Sequence, residues 1–177
     1  LLGRTERENR EAEHIYLPAS TGIRGDSPCG SSGVMDVFAV PADQVGVQIA
    51  HTSGCEQKSP FRYGSAFSRA MTLKESDVTH ILLSGTASID EHGKSVYLNN
   101  PAGQIRKTLD VIEALIAKEG ASFQDINETT VFFKDAKEFD AYQQTMIDLN
   151  LDLPAVFMTA DVCRDDLLFE VDAAIAF

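Results

Sequence analysis

The stretch Asp161-Val162-Cys163-Arg164-Asp165-Asp166-Leu167-Leu168-Phe169-Glu170-Val171-Asp172-Ala173-Ala174-Ile175-Ala176-Phe177 decides the fold. From Leu167 the residues alternate, so Leu167, Phe169, Val171, Ala173, Ile175 and Phe177 fall on one face of a strand while Glu170 and Asp172 point the other way. The first face reads as core. The second, two carboxylates beside small alanines, suits open solvent, a subunit interface or a pocket.

Upstream, the pattern alternates between strand and helix. Residues 101 to about 119 predict the clearest helix, with Asn100 as N-cap, Pro101 at the first helical position and Gly120 ending it. Ile105, Leu109, Ile112 and Ile116 recur at helical spacing, a stripe that packs on a sheet. Residues 128–134 read as a strand, and Asp135 with Glu138 as the capping box of a second helix, to about residue 149, through Phe139, Tyr142 and Met146. Pro154 starts the last strands. Residues 61–71 lead into a strand, and residues 78–87 form an apolar strand that turns small and polar at Ser84-Gly85-Thr86-Ala87. Missing side-chain bulk there admits either a ligand or another backbone. The order is two strands, helix, strand, helix, two strands, an α+β layer with both helices on one face of a sheet. A single layer of this kind oligomerises or meets a second domain, which places Glu170 at a cleft between units.

Nearer the start, residues 33–40 and 45–51 are β-like around a Pro41-Ala42-Asp43-Gln44 turn and predict a hairpin from a second, related domain. Residues 1–62 are expected to be the end of an N-terminal domain plus a linker, and residues 63–177 the main domain. The charged opening segment offers little apolar face to bury.

Composition narrows the function. The 177 residues are 44% hydrophobic, with no apolar run near the ~20 residues that span a bilayer, so a soluble globular chain without a membrane partner is expected. Net charge is −12, from 15 Lys+Arg against 27 Asp+Glu, and no basic cluster offsets it, which argues against nucleic acid as a partner. A small anionic substrate requires a local basic pocket. The 3 cysteines, Cys29, Cys55 and Cys163, are far apart and follow no signal peptide, pointing to a reducing cytoplasm. His51 and Cys55 have no second pair of ligands nearby, so no metal site is expected.

Several segments carry a resemblance. Tyr63-Gly64 to Ala70, Ile81-Leu82-Leu83-Ser84-Gly85, Thr129-Thr130-Val131-Phe132-Phe133-Lys134-Asp135, Leu153-Pro154-Ala155 and Phe169-Glu170-Val171-Asp172-Ala173 resemble the Rid/YjgF superfamily of reactive-intermediate deaminases. The resemblance implies that family's chorismate-mutase-like fold, and trimers with ligand sites between subunits. One departure stands out: Val156 follows Pro154-Ala155, where the deaminases carry an arginine for the substrate carboxylate.

The chain is more closely similar to the chorismatases, which have a Rid-like C-terminal domain and were once labelled pteridine-dependent deoxygenase-like. This likeness adds Leu17-Pro18-Ala19-Ser20-Thr21-Gly22-Ile23, Arg62-Tyr63-Gly64, Ala66-Phe67-Ser68-Arg69-Ala70, Ser84-Gly85-Thr86-Ala87-Ser88-Ile89 and the segment from Asp161 to Glu170. It implies an N-terminal half absent here, and pairing with that half or a homotrimer. It implies chorismate as substrate, no cofactor, and Glu170 as the general acid that protonates the enolpyruvyl methylene. Cys163 with Gly85 resembles the type that makes 3-hydroxybenzoate. Arg69 and Tyr63 are the candidates for gripping carboxylate and hydroxyl groups, with Lys134 and Arg164 behind them. Asp172 is expected to be structural. The alternatives are a Rid-type enamine/imine deaminase, against which Val156 counts, and a silent module that binds a small carboxylate.

Overall fold

The computed structural model describes residues 17–25, 30, 33, 35, 37–41, 44–52, 60 and 65–177. Its elements run β1 (Gln48–Thr52), β2 (Ala70–Lys74), β3 (Thr79–Ala87), α1 (Pro101–Ala117), a 3-10 turn (Phe123–Asp125), β4 (Ile126–Phe133), α2 (Glu138–Leu149), β5 (Ala155–Thr159) and β6 (Phe169–Ala176). From β2 onward this is the expected order. The strands form one six-stranded sheet in the order β1-β2-β3-β6-β4-β5. All its pairings are antiparallel except β4 with β5, which α2 connects as a crossover must. The result is the α+β layer of mixed sheet and helices that the sequence predicts.

Alternation along β6 divides the sheet. Phe169, Val171, Ala173 and Ile175 are buried in one cluster with Ile81 and Leu83 of β3, Val131 and Phe133 of β4, the α1 stripe, and Tyr142 and Met146 of α2. Both helices therefore cover the same face. Each large side chain buried there contributes about 1.5–3 kcal/mol, so the helix face holds most of the stability. Leu167 departs from the alternation: it packs in a smaller cluster with Ala87, Ile89, Phe132 and Val162. Ala87 and Phe132 are the cross-strand neighbours of Glu170, so this cluster lies on the opposite face.

The local signals for α1 hold in detail. Asn100 Oδ1 accepts from the Gly103 amide at 3.0 Å, Pro101 opens the helix, and Gly120 follows it at φ +93°, where a Cβ is strained. The capping box expected for α2 does not form. Asp135 Oδ1 instead accepts from the Lys137 amide at 3.1 Å, an Asx turn that delays the helix to Glu138, whose side chain is buried. At its other end α2 stops at Asn150, in the left-handed conformation that asparagine tolerates.

The hairpin is also corrected. β1 pairs with β2, with Ile49 opposite Leu73 and Thr52 opposite Ala70, while the described residues from 33 to 40 belong to no strand. Val37 and Phe38 are 72% and 71% exposed there. Their β propensity is local, but a strand needs a partner edge, and β2 already presents one to β1. β1 precedes the division placed at residues 62/63 and still serves as the sheet's edge. No helix among the described residues is long and apolar enough to cross a membrane.

Candidate active site

The site is built on a fault in the sheet. The β3–β6 register runs evenly from His80 to Leu83, then shifts by Thr86, so Ser84 and Gly85 sit in a bulge. Beyond it Ala87 pairs with Glu170. The Glu170 side chain lies back over the bulge: a Cβ on Gly85 would overlap its Oε1 and stand 3.1 Å from its carboxyl carbon. Of the two readings left open for the Ser84-Gly85 gap, the occupant is a side chain. Glycine here makes room for the glutamate.

Glu170 is only 4% exposed, and its Oε2 is buried without a hydrogen-bond partner among the described residues. Burial is the main reason its pKa rises from the ordinary 4.5 to about 7; Asp172 on the same strand pushes the same way, and Arg69 opposes both. Arg69, 2% exposed, sits just before β2 with its guanidinium 5.6 Å from the centre of the Phe67 ring. Its backbone oxygen accepts from the Ser84 amide at 3.0 Å, fixing it beside the bulge.

Cys163 is a free cysteine in the bend before β6. The residue as a whole is exposed, yet partial desolvation of the sulfur raises the thiol pKa; the Glu170 charge adds to this, while Arg164 and Arg69 oppose it. Glu170, Gly85, Arg69 and Cys163 thus form one neighbourhood. A buried carboxyl whose pKa is raised thus lies within electrostatic reach of a thiol and of the Arg69 cation.

Lys134 and Arg164 are engaged elsewhere. The Lys134 ammonium donates to Asp165 O at 2.8 Å, and Arg164 donates to Gly93 O at 2.8 Å. Both pin the bend that carries Cys163. Gln104 of α1 joins them: its amide donates to Asp166 O at 2.9 Å and its oxygen accepts from Leu168 N at 2.8 Å. Sequence reasoning missed Gln104, although a polar residue beside the apolar stripe of α1 is the available signal. Tyr63 lies outside the described residues. A cavity of about 260 Å³ between α2 and β5, lined by Phe139, Tyr142, Met146, Leu153 and Phe157 among others, lies on the helix face and holds none of these groups.

The bulged sheet, the helix layer and a buried glutamate on the last strand define a class, and the Endoribonuclease L-PSP family profile matches residues 64–176. The chain therefore belongs to the L-PSP family, also called Rid/YjgF. Among solved structures it is similar to a chorismatase, with a TM-score of 0.60 and 19% identity over 72% of this chain. The match spans 44% of the chorismatase chain, so less than half of that protein is represented. It is also similar to an L-PSP protein from Entamoeba histolytica (TM-score 0.61, 14% identity, 73% of this chain and 100% of that one). The Rid-family YyfA of Yersinia pestis gives a TM-score of 0.61 and 16% identity over the same shares. At these identities the likeness concerns the fold.

Proposed function

We propose that this chain carries a chorismatase-like site that cleaves the enolpyruvyl ether of chorismate to pyruvate and a hydroxybenzoate, 3-hydroxybenzoate foremost. The observation that carries the reading is the Glu170 carboxyl, buried over Gly85 where burial pushes its pKa up to about 7. Cleavage begins when that proton moves to the terminal methylene carbon of the enol ether. The methylene becomes a methyl group, leaving an oxocarbenium ion at the ether carbon. Water adds to that carbon to give a hemiketal, which collapses by breaking the bond between the carbon and the ether oxygen, so that the carbon becomes the ketone of pyruvate and the oxygen stays on the ring as a hydroxyl. An equivalent water leaves as the ring aromatises. Pyruvate and hydroxybenzoate together hold all of chorismate's atoms, so no oxidant, reductant or net water is consumed.

The neighbours fit those roles. Arg69 supplies a carboxylate fork next to the acid. An incoming dicarboxylate disfavours ionisation of Glu170 further and so keeps its proton in place. Cys163 presents an uncharged sulfur that shapes the fate of the ring. Lys134 and Arg164 act by fixing the bend, and Tyr63 remains a proposed hydroxyl contact. The reading includes action in the cytoplasm and assembly through the sheet, as a homotrimer or against a preceding domain, with no part for nucleic acid or membrane.

The test is incubation of the chain, and of a longer form with its preceding domain, with chorismate while pyruvate and aromatic products are followed by chromatography. Expected is release of pyruvate with 3-hydroxybenzoate, its loss in Glu170→Gln, and a changed product in Cys163→Ala. Untouched chorismate in both forms sinks the reading. Turnover of an imine substrate would then favour the deaminase alternative, which uses a glutamate at the same place.

A further inference from the structure

A segment from outside the family-matched region crosses the face that holds Glu170. Residues 17–24 begin beside β2, where Ser68 N donates to Pro18 O at 2.8 Å and Ala19 bridges Ser68. They then pass the bulge, where Ser20 N donates to Ser84 Oγ at 2.9 Å and Gly85 N donates to Thr21 Oγ1 at 3.0 Å. They end beyond β5, where Arg24 and Asp161 exchange backbone hydrogen bonds at 3.1 Å. The strap is thus held on both sides of Glu170. A Cβ placed on Gly85 would stand 3.0 Å from Thr21 Cγ2 and overlap the Glu170 carboxyl, so the threonine methyl and the carboxyl share the space that the glycine leaves.

We propose that residues 17–24 are part of the catalytic site, with Thr21 a positioning residue that holds the Glu170 carboxyl over Gly85 and keeps water from it. The two ends of the threonine divide the work. Its hydroxyl accepts from Gly85 N and anchors the strap, while its methyl occupies space that water would otherwise take beside the carboxyl. The charges around that carboxyl are few. Asp172 on β6 and Arg69 before β2 act on it, and its charge in turn acts on the Cys163 thiol in the bend. On the strap, Arg24 is exposed at the far end and lies 3.9 Å from Asp161. β3 presents Ser84, Gly85 and Thr86, and β4 presents Phe132, none of them charged. Solvent exclusion is accordingly the property the strap controls.

The proposal deepens the reading of Glu170 as an acid, and its test needs no substrate. The Glu170 carboxyl is titrated by ¹³C NMR in the whole chain, assigned by its disappearance in Glu170→Gln, and compared in Thr21→Ala, Thr21→Ser and Thr21→Val. Thr21→Ala and Thr21→Ser, which lack the methyl, are expected to lower the midpoint by about 1 pH unit as water reaches the carboxyl. Amide exchange at Gly85 separates the anchor: Thr21→Ser keeps protection, and Thr21→Val and Thr21→Ala lose it. An unchanged midpoint in folded Thr21→Ala and Thr21→Ser, or an ordinary midpoint in the parent chain, overturns the proposal. Failure to cleave chorismate alongside the expected midpoints overturns the substrate and leaves the strap standing.

Discussion

Ionising Glu170 in its buried position opposes folding, and the sign of that effect can be worked out. The folded-state pKa of about 7 lies above the ordinary 4.5, so the folded chain holds the proton more tightly than the unfolded one. Below about 4.5 the group is protonated in both states and nothing is lost. Between there and 7 stability falls as pH rises, and above 7 the full penalty of about 3 kcal/mol applies. Glu170→Gln removes the charge with little change of shape. Urea unfolding is therefore expected to show the variant more stable than the parent at pH 8, with the difference vanishing near pH 4; equal differences at both pH values would contradict the burial argument. Residues of this kind were legible: alternation placed Glu170 off the core face, and the small residues marked Gly85. The Thr21 contact was not, since it joins positions 64 apart whose only shared feature is the folded strap.

A buried polar side chain does most to link the elements. Gln104 is fully buried on α1 and satisfies Asp166 O and Leu168 N, holding the bend that carries Cys163 against the helix. Replacing it by leucine keeps the volume roughly and leaves those backbone groups without their partner. Gln104→Leu is expected to cost about 1–3 kcal/mol in urea unfolding and to raise hydrogen exchange at Leu168. A neutral substitution with Leu168 still protected would assign the bend's order to Arg164 and Lys134 instead. The helix itself was readable because Asn100, Pro101, Gly120 and the isoleucine stripe are all local signals. The partner of β1 was not, because strand pairing is decided across the sheet: β1 pairs with β2, while the described residues from 33 to 40 carry β-like residue types but belong to no strand. The α2 cap failed for a related reason. Asp135 took the Lys137 amide in an Asx turn, a choice its spacing from Glu138 does not reveal.

At the scale of the molecule, one face of the sheet is closed by helices and the other is covered only in part. β5 is one of its two edges; Phe157 turns toward the helix layer and packs on Phe133, Phe139 and Tyr142, while Val156 and Met158 point the other way, 59% and 48% exposed. Register places these two on the face of Glu170, since Met158 pairs with Phe132 and Phe132 with Glu170. Apolar residues on an open edge strand favour association, against which the net charge of −12 provides only a general repulsion. Assembly over this face would bring a neighbour's surface to the Glu170 site. Sedimentation equilibrium of the chain is expected to give a mass above that of one copy, and Val156→Lys with Met158→Lys to reduce it to one. If the site depends on the neighbour, pyruvate release falls in that variant while its unfolding midpoint is unchanged. A parent chain that sediments as a single copy at high micromolar concentration sinks self-association.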